Sequence, residues 1–207
     1  MRTKVILIII CACVTVYSCK KVKTDTLGGT QSAMGVVGAT VSSSNIAVAG
    51  VSSITGSVKT LSDGVSSFNG SAVITNPTIK NILSSYAAAT VVGNNVTITG
   101  VKVKFTSEGI ESFGPLEPGI IAKFDAKVGD TYPCGSGKRT VKAVSTTDDF
   151  YWGGMGIKVI TVEETPNKLG IKKITYFSNH KWGLAAVEFT FDDNSVARFP
   201  VFSSASN

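Results

Sequence analysis

Residues 89–105, ATVVGNNVTITGVKVKF, carry an apolar period of two. Val91 and Val92, the turn formers Gly93-Asn94-Asn95, and then Val96 and Ile98 predict a strand, a turn and a second strand. Beyond Gly100 the apolar set becomes Val101, Val103 and Phe105, so the parity slips by one residue at the glycine. A β-bulge does this, because one extra residue in a strand flips every later side chain to the other face. Lys102 and Lys104 then take the solvent side.

The same reading extends toward the C-terminus. The segment 106–118, TSEGIESFGPLEP, holds two prolines and two glycines and reads as a loop. Strands are expected at Ile120–Phe124, Lys138–Thr146, Ile157–Glu163, Ile171–Ser178, Leu184–Phe191 and Val196–Phe202. Glu164–Gly170, with Pro166, and Asp192–Ser195 supply turns between them. The expectation is a mainly β (α+β) fold. It takes the form of an antiparallel β-sandwich or partly open barrel with one or two short helices packed on it.

Toward the N-terminus the pattern changes. Asn76 can cap a helix that Pro77 opens, with Ile79, Ile82, Leu83 and Tyr86 on one face, which predicts a short helix over 77–86. Val51, Ile54, Val58, Leu61, Val65 and Phe68 recur at spacings of 3, 4, 3, 4 and 3, the stripe of an amphipathic helix over 51–68. Gly56, Gly64 and the many Ser and Thr oppose it, since an internal Gly costs about 1 kcal/mol relative to Ala. The alternative is a hairpin turning at Asn69-Gly70 between short strands. Residues 51–207 are expected to form one domain, preceded over 19–50 by a flexible tether rich in Gly, Ser and Thr.

The first residues read MRTKVILIIICACVTVYSC. Arg2 and Lys4 precede an uncharged apolar run, Val5–Tyr17, too short to span a bilayer core of about 30 Å as a helix. The pattern is that of a secretory signal peptide over 1–18. Val16-Tyr17-Ser18-Cys19 resembles the lipobox of bacterial lipoprotein precursors, with Tyr17 bulkier than usual, as in lipoproteins of the Bacteroidota. VGDTYP (128–133), STTDDFYWGGMGIKVITVEE (145–164) and KKITYFSNHKWGLAAVEFTFDD (172–193) are similar to lipoproteins of that group too. This likeness spans about residues 60–202 and implies a compartment without an activity. The lipobox resemblance implies that Cys19 is acylated and holds the chain to the lipid bilayer. Lys20, Lys21 and Lys23 follow with no Asp directly after Cys19, which by the same resemblance implies the outer membrane, facing the periplasm.

Charge and cysteine content agree with export. The chain has 20 Lys+Arg against 14 Asp+Glu, a net +6. With Arg2, Lys4, Lys20, Lys21 and Lys23 assigned to signal and tether, 15 basic residues face 14 acidic ones over 24–207. A nucleic-acid binder carries its basic patch on the folded domain, so that class is set aside. Cys11 and Cys13 fall in the signal peptide and Cys19 takes lipid, leaving Cys134 without an intrachain disulfide partner.

Few residues point to chemistry. Gly135-Ser136-Gly137-Lys138 lacks the upstream Gly of a phosphate loop, and Arg139 stands where Ser or Thr would hold magnesium. Cys134 and His180 offer a thiol–imidazole pair only if the fold joins them. Asp148-Asp149 and Asp192-Asp193-Asn194 fit turns and do not match a calcium loop, so no metal or cofactor is expected. Tyr151, Trp152 and Trp182 are the candidate ligand-binding residues, because exposed aromatics stack on sugar rings or grip partner proteins. The favoured reading of the two tryptophans is that they cover the open ends of the β core, since aromatics dominate core burial. The expected function is a non-enzymatic binding or structural module of the cell envelope. A glycan or an envelope protein is the partner, glycan binding through the aromatics is the alternative, and a thiol enzyme or hydrolase stands third.

Overall fold

The computed structural model describes residues 26–43, 47–114, 118–135, 137–166 and 170–205. The expected signal peptide, Cys19, Lys20, Lys21 and Lys23 lie outside the described residues.

The fold is mostly antiparallel β, with a curled half-barrel sheet and one short helix, as the alternation in 89–105 predicts. In chain order the first sheet takes β1 (Thr40–Ser42), β2 (Val51–Ser62), β3 (Val65–Ile74), β4 (Ala89–Val92), β5 (Asn95–Thr106), β6 (Gly109–Ser112) and β7 (Gly119–Lys123). Helix α1 (Pro77–Ser84) links β3 to β4. The second sheet begins with β8 (Thr131–Cys134) and β9 (Gly137–Val144). A separate hairpin follows, β10 (Phe150–Trp152) with β11 (Met155–Ile157). β12 (Ile160–Glu164), β13 (Ile171–Asn179), β14 (Gly183–Phe191) and β15 (Val196–Pro200) complete the second sheet. The last strand, β16 (Phe202–Ser204), returns to the first sheet beside β1.

Two linkages hold the sheets face to face. At one side the chain itself crosses from β15 to β16, and the Val201 amide donates to the Ala185 carbonyl at 2.8 Å. At the other, Arg139 of β9 donates through Nη1 to the carbonyls of Gly119 and Ile120 on β7, at 3.1 and 3.0 Å. Between them Ile120, Ala122, Tyr132, Val141 and Val162 form one buried cluster, and Val51, Ile74, Val96, Ala197 and Phe199 another. The first sheet is strongly coiled. Ser42 is level with Thr55, Ser71 and Thr97 in the ladder, while Phe105 stands eight residues further along β5. Both line one cleft, which their register allows only if the strands coil about each other.

Local expectations meet mixed outcomes. The parity slip at Gly100 is a bulge: Phe68 pairs with Val101 and Gly70 with Ile98, so Thr99 and Gly100 oppose Asn69 alone. Gly100 has φ 72° and its amide donates to Asn69 Oδ1 at 3.0 Å, a turn that glycine enters without strain. Helix α1 forms as expected, with Asn76 Oδ1 accepting from the Ile79 amide at 3.1 Å, while Ile79 and Leu83 pack on the core.

The helix expected over 51–68 is instead the hairpin β2–β3, and it turns at Asp63-Gly64 rather than at Asn69-Gly70. Asp63 and Gly64 have φ of 51° and 75°, the left-handed pair that a tight two-residue hairpin requires. The helical spacing has a physical origin. β2 bulges between Ser52 and Thr55 and again between Val58 and Thr60, so Val51, Ile54 and Val58 turn inward at spacings of 3 and 4, while Leu61 is exposed.

The expected tether is also corrected from residue 26 onward. Leu27, Met34 and Ala39 are buried, a 3₁₀ turn spans Ala33–Gly35, and Thr40–Ser42 is strand β1. The segment lies along β5 and β6 through hydrogen bonds rather than through apolar periodicity. Leu27 donates to Glu111 Oε2 at 3.0 Å, Gly28 to Glu108 Oε2 at 3.0 Å, and Ser32 to the Phe105 carbonyl at 3.0 Å. Similarly, the loop expected over 106–118 contains β6, paired on both edges. Among the described residues, no helix is long and apolar enough to cross a membrane.

Candidate functional site

The aromatic residues singled out above gather at hairpin β10–β11, which folds over the face of the second sheet turned away from the first. Gly153 and Gly154, with φ of 56° and 92°, make its turn. Alternation sends Phe150 and Trp152 inward and Tyr151 outward. Trp152 is only 6 % exposed, its ring 5.1 Å from that of Trp182 and 5.6 Å from Phe202. Its Nε1 donates to the Val201 carbonyl at 2.8 Å, so the indole secures the sheet crossing. Trp182 is half-buried, with Lys181 Nζ 4.8 Å from the ring centroid. Tyr151 is 79 % exposed on the opposite side. The two tryptophans are thus brought together as packing, and Tyr151 stands apart from them.

Cys134 and His180 are not brought together. Cys134 pairs with Gly137, and the ladder through Arg139, Glu164 and Ile174 puts that end of the sheet level with the start of β13. His180 follows the far end of β13, about 26 Å away along the strands at 3.3 Å per residue. A general base must lie within hydrogen-bond reach, so the dyad does not exist.

The buried polar groups form a structural network that the sequence did not announce. Arg139 and Glu164 are 1 % and 2 % exposed and paired through Nε and Oε2 at 2.7 Å. The Tyr176 hydroxyl donates to the same Oε2 at 3.0 Å, and the guanidinium lies 5.3 Å from the Tyr176 ring centroid. Burial first, and then the Glu164 charge, push the Tyr176 phenol far above its ordinary value. Burial works to lower the Arg139 guanidinium, but Tyr176 and the paired Glu164 carboxylate together outweigh it and push it up. Among the described residues, no cluster of three or more His, Cys, Asp or Glu side chains is arranged to hold a metal ion.

What the fold does build is an apolar cleft of about 230 Å³ between the sheets. The concave side of the first sheet supplies Val41, Ile54, Phe68, Val103 and Phe105. Met34 comes from the 3₁₀ turn, Leu184 and Phe199 from the second sheet, and Val201 from the crossing. Ser42, Ser43 and Ser203 are its polar members. Phe105 rests against Gly183, where a Cβ would lie 3.5 Å from the ring. Among the described residues, no charged side chain lines the cleft. A dry engineered cavity of about 150 Å³ already takes benzene, so the volume here suffices for a sizeable apolar group. Most lining side chains are only half-buried, which leaves apolar surface that a ligand would remove from water. Sequence reasoning missed this site because its walls come from seven separated segments, and the bulges in β2 disguise the inward face of one of them.

Comparison with protein-family models, with curated proteins and with solved structures returns no match.

Proposed function

We propose that the chain is a lipid-anchored protein of the cell envelope whose domain is a non-enzymatic binding module, with the cleft between the sheets as its binding site. The observation that carries the binding reading is the cleft: about 230 Å³, apolar walls and no charge among the described lining residues. Acylated Cys19, read from the lipobox resemblance, is the anchor, and the outer membrane facing the periplasm is the expected location. Stable anchoring takes more than one acyl chain, which the lipoprotein modification supplies. The glycan alternative is less favoured, since Trp152 is buried and Trp182 half-buried, and of the three only Tyr151 is exposed.

Fractionation of cells tests the anchor. The native chain is expected in the outer-membrane fraction and the Cys19→Ala chain in the soluble periplasmic fraction; flotation of Cys19→Ala with membranes would remove the anchor. Nile red, a neutral apolar dye, tests the cleft. Saturable binding by the Cys19→Ala chain, lost in Leu184→Trp with an unchanged circular-dichroism spectrum, supports the site. Equal dye binding in the two chains rejects it.

A further inference from the structure

Resting on the acyl anchor proposed at Cys19, we infer that one pole of the domain faces the lipid surface and the other is held away from it. The near pole is the β5–β6 turn with the 124–130 loop, and the far pole carries α1. What fixes this orientation is where the chain is pinned. Leu27, eight residues beyond Cys19, is 2 % exposed, and its amide donates to Glu111 Oε2 at 3.0 Å. Lys104 Nζ donates to the Leu27 carbonyl. Next to it, Gly28 donates to Glu108 Oε2 at 3.0 Å, and Ser107 donates to the Thr30 carbonyl at 2.8 Å. The chain is therefore fastened to the domain at the β5–β6 turn. Whatever their conformation, eight residues reach at most about 29 Å from the acylated cysteine.

Both sheets put this attachment at one pole. Gly109 pairs with Lys123, and the Phe124 amide donates to the Glu108 carbonyl at 2.8 Å, so the 124–130 loop lies beside the β5–β6 turn. In the second sheet, Gly183 lies against Phe105 just past the end of β13. The start of β13 belongs to the other pole. There a Cβ on Gly170 would lie 2.6 Å from Thr78 Cγ2 of α1, and the Gly170 amide donates to Asp192 Oδ2 at 3.1 Å. β13 alone covers about 26 Å at 3.3 Å per residue, and α1 lies beyond its start. Turning the α1 pole to the bilayer would draw the tether to its full reach, whereas a flexible chain averages well short of it. The near pole has mixed charge, with exposed Lys127 between Asp125 and Asp130, so tether length rather than charge sets the orientation.

Two exposed valines mark the poles: Val128, 65 % exposed, in the 124–130 loop, and Val92, 68 % exposed, at the end of β4. Val128→Cys and Val92→Cys are made in the full acylated chain and labelled with a donor dye. The chains are placed in nanodiscs of phosphatidylethanolamine and phosphatidylglycerol carrying an acceptor dye on the headgroups. The chain without either substitution gives the background from buried Cys134. Energy transfer from position 128 is expected to exceed that from position 92 at least about twofold, since the poles stand about a strand length apart. Inserting about twenty Gly and Ser residues between Lys23 and Thr24 is expected to bring the two transfers together. Equal transfer without the insertion, or higher transfer from position 92, overturns the orientation and leaves the anchor. A difference undiminished by the insertion overturns tether length as its cause. A native chain that enters nanodiscs no better than Cys19→Ala overturns the anchor itself.

Discussion

Arg139 Nε donates to Glu164 Oε2 at 2.7 Å, and through Nη1 the same guanidinium reaches the Gly119 and Ile120 carbonyls on the opposing sheet. One side chain therefore both neutralises a buried carboxylate and spans the two layers. Removing one member of such a pair leaves an uncompensated charge in the core, at about 3–5 kcal/mol. Arg139→Met is expected to lower stability by that amount. Glu164 Oε1 has no hydrogen-bond partner, so the carboxylate is incompletely satisfied even now. The double variant Arg139→Met, Glu164→Leu should accordingly recover most of the loss, because a well-packed apolar replacement of a buried pair is often neutral. Urea denaturation checks this: the midpoint should fall in the single variant and return in the double, with the slope unchanged. A double variant no better than the single would show that the carbonyl contacts, not the charge, dominate.

Tyr176 gives the fold an alkaline limit. Its phenol is held protonated in the folded state by burial and by the adjacent Glu164 charge, well above the ordinary value of 10.0. Tyr132 is shifted the same way, chiefly by burial. Below about pH 10 both states bind these protons and stability does not depend on them. Above it the unfolded chain releases protons that the folded chain keeps, so stability falls as pH rises, by about 1.4 kcal/mol per pH unit for Tyr176, with Tyr132 acting in the same direction. Thermal melts across pH 8 to 12 should be flat and then decline. Tyr176→Phe should be less stable near neutrality through its lost hydrogen bond to a charged group, by about 1.5–3 kcal/mol, yet decline less steeply above about pH 10. An identical alkaline slope in native and variant chains would remove Tyr176 from the explanation.

How legible the fold was depended on whether the ladder runs unbroken. Val196–Pro200 alternates and pairs with β14 without a register shift, and it forms most of the strand expected at Val196–Phe202. At Gly100 a single slip was flanked by clear alternation on both sides, so the bulge could be placed to the residue. In β2 two slips fall within twelve residues, and the resulting spacing of 3 and 4 through Val51, Ile54 and Val58 coincides with helical period. The Asp63-Gly64 pair was the overlooked signal there, because its left-handed turn is incompatible with a continuous helix. Leu27–Ser32 was hidden for another reason: backbone hydrogen bonds hold it in place, and these leave little imprint on side-chain composition. The cleft depends on Val41, Phe105 and Leu184 meeting across a coiled sheet, a fact of topology rather than of local pattern.

The same pair supplies a prediction about the hairpin. Gly64 has φ 75°, and a Cβ there would meet nothing closer than 3.8 Å, so substitution meets strain without collision. Gly64→Ala is expected to cost about 1–2 kcal/mol, the left-handed penalty of an L-residue. Asp63→Asn, which also tolerates that conformation, should stay within about 0.5 kcal/mol. Chemical denaturation of both variants distinguishes a turn from a helix interior, where Gly64→Ala would instead stabilise.

Trp152 and Tyr151 are adjacent in sequence, and structure and function assign them opposite sensitivities. Trp152 is buried against Trp182 and Phe202 and donates to the Val201 carbonyl at the sheet crossing. Trp152→Ala should cost about 3–5 kcal/mol through the cavity it leaves, and Trp152→Phe a smaller amount dominated by the unpaired carbonyl. Tyr151, 79 % exposed, should tolerate Ala within about 0.5 kcal/mol. A glycan array then separates packing from recognition. If the aromatics served a sugar, Tyr151→Ala would abolish binding while leaving stability intact. If the hairpin only seals the core, Tyr151→Ala changes neither measurement and Trp152→Ala acts through unfolding alone. The position of the indole nitrogen, turned inward to a main-chain carbonyl, favours the second outcome.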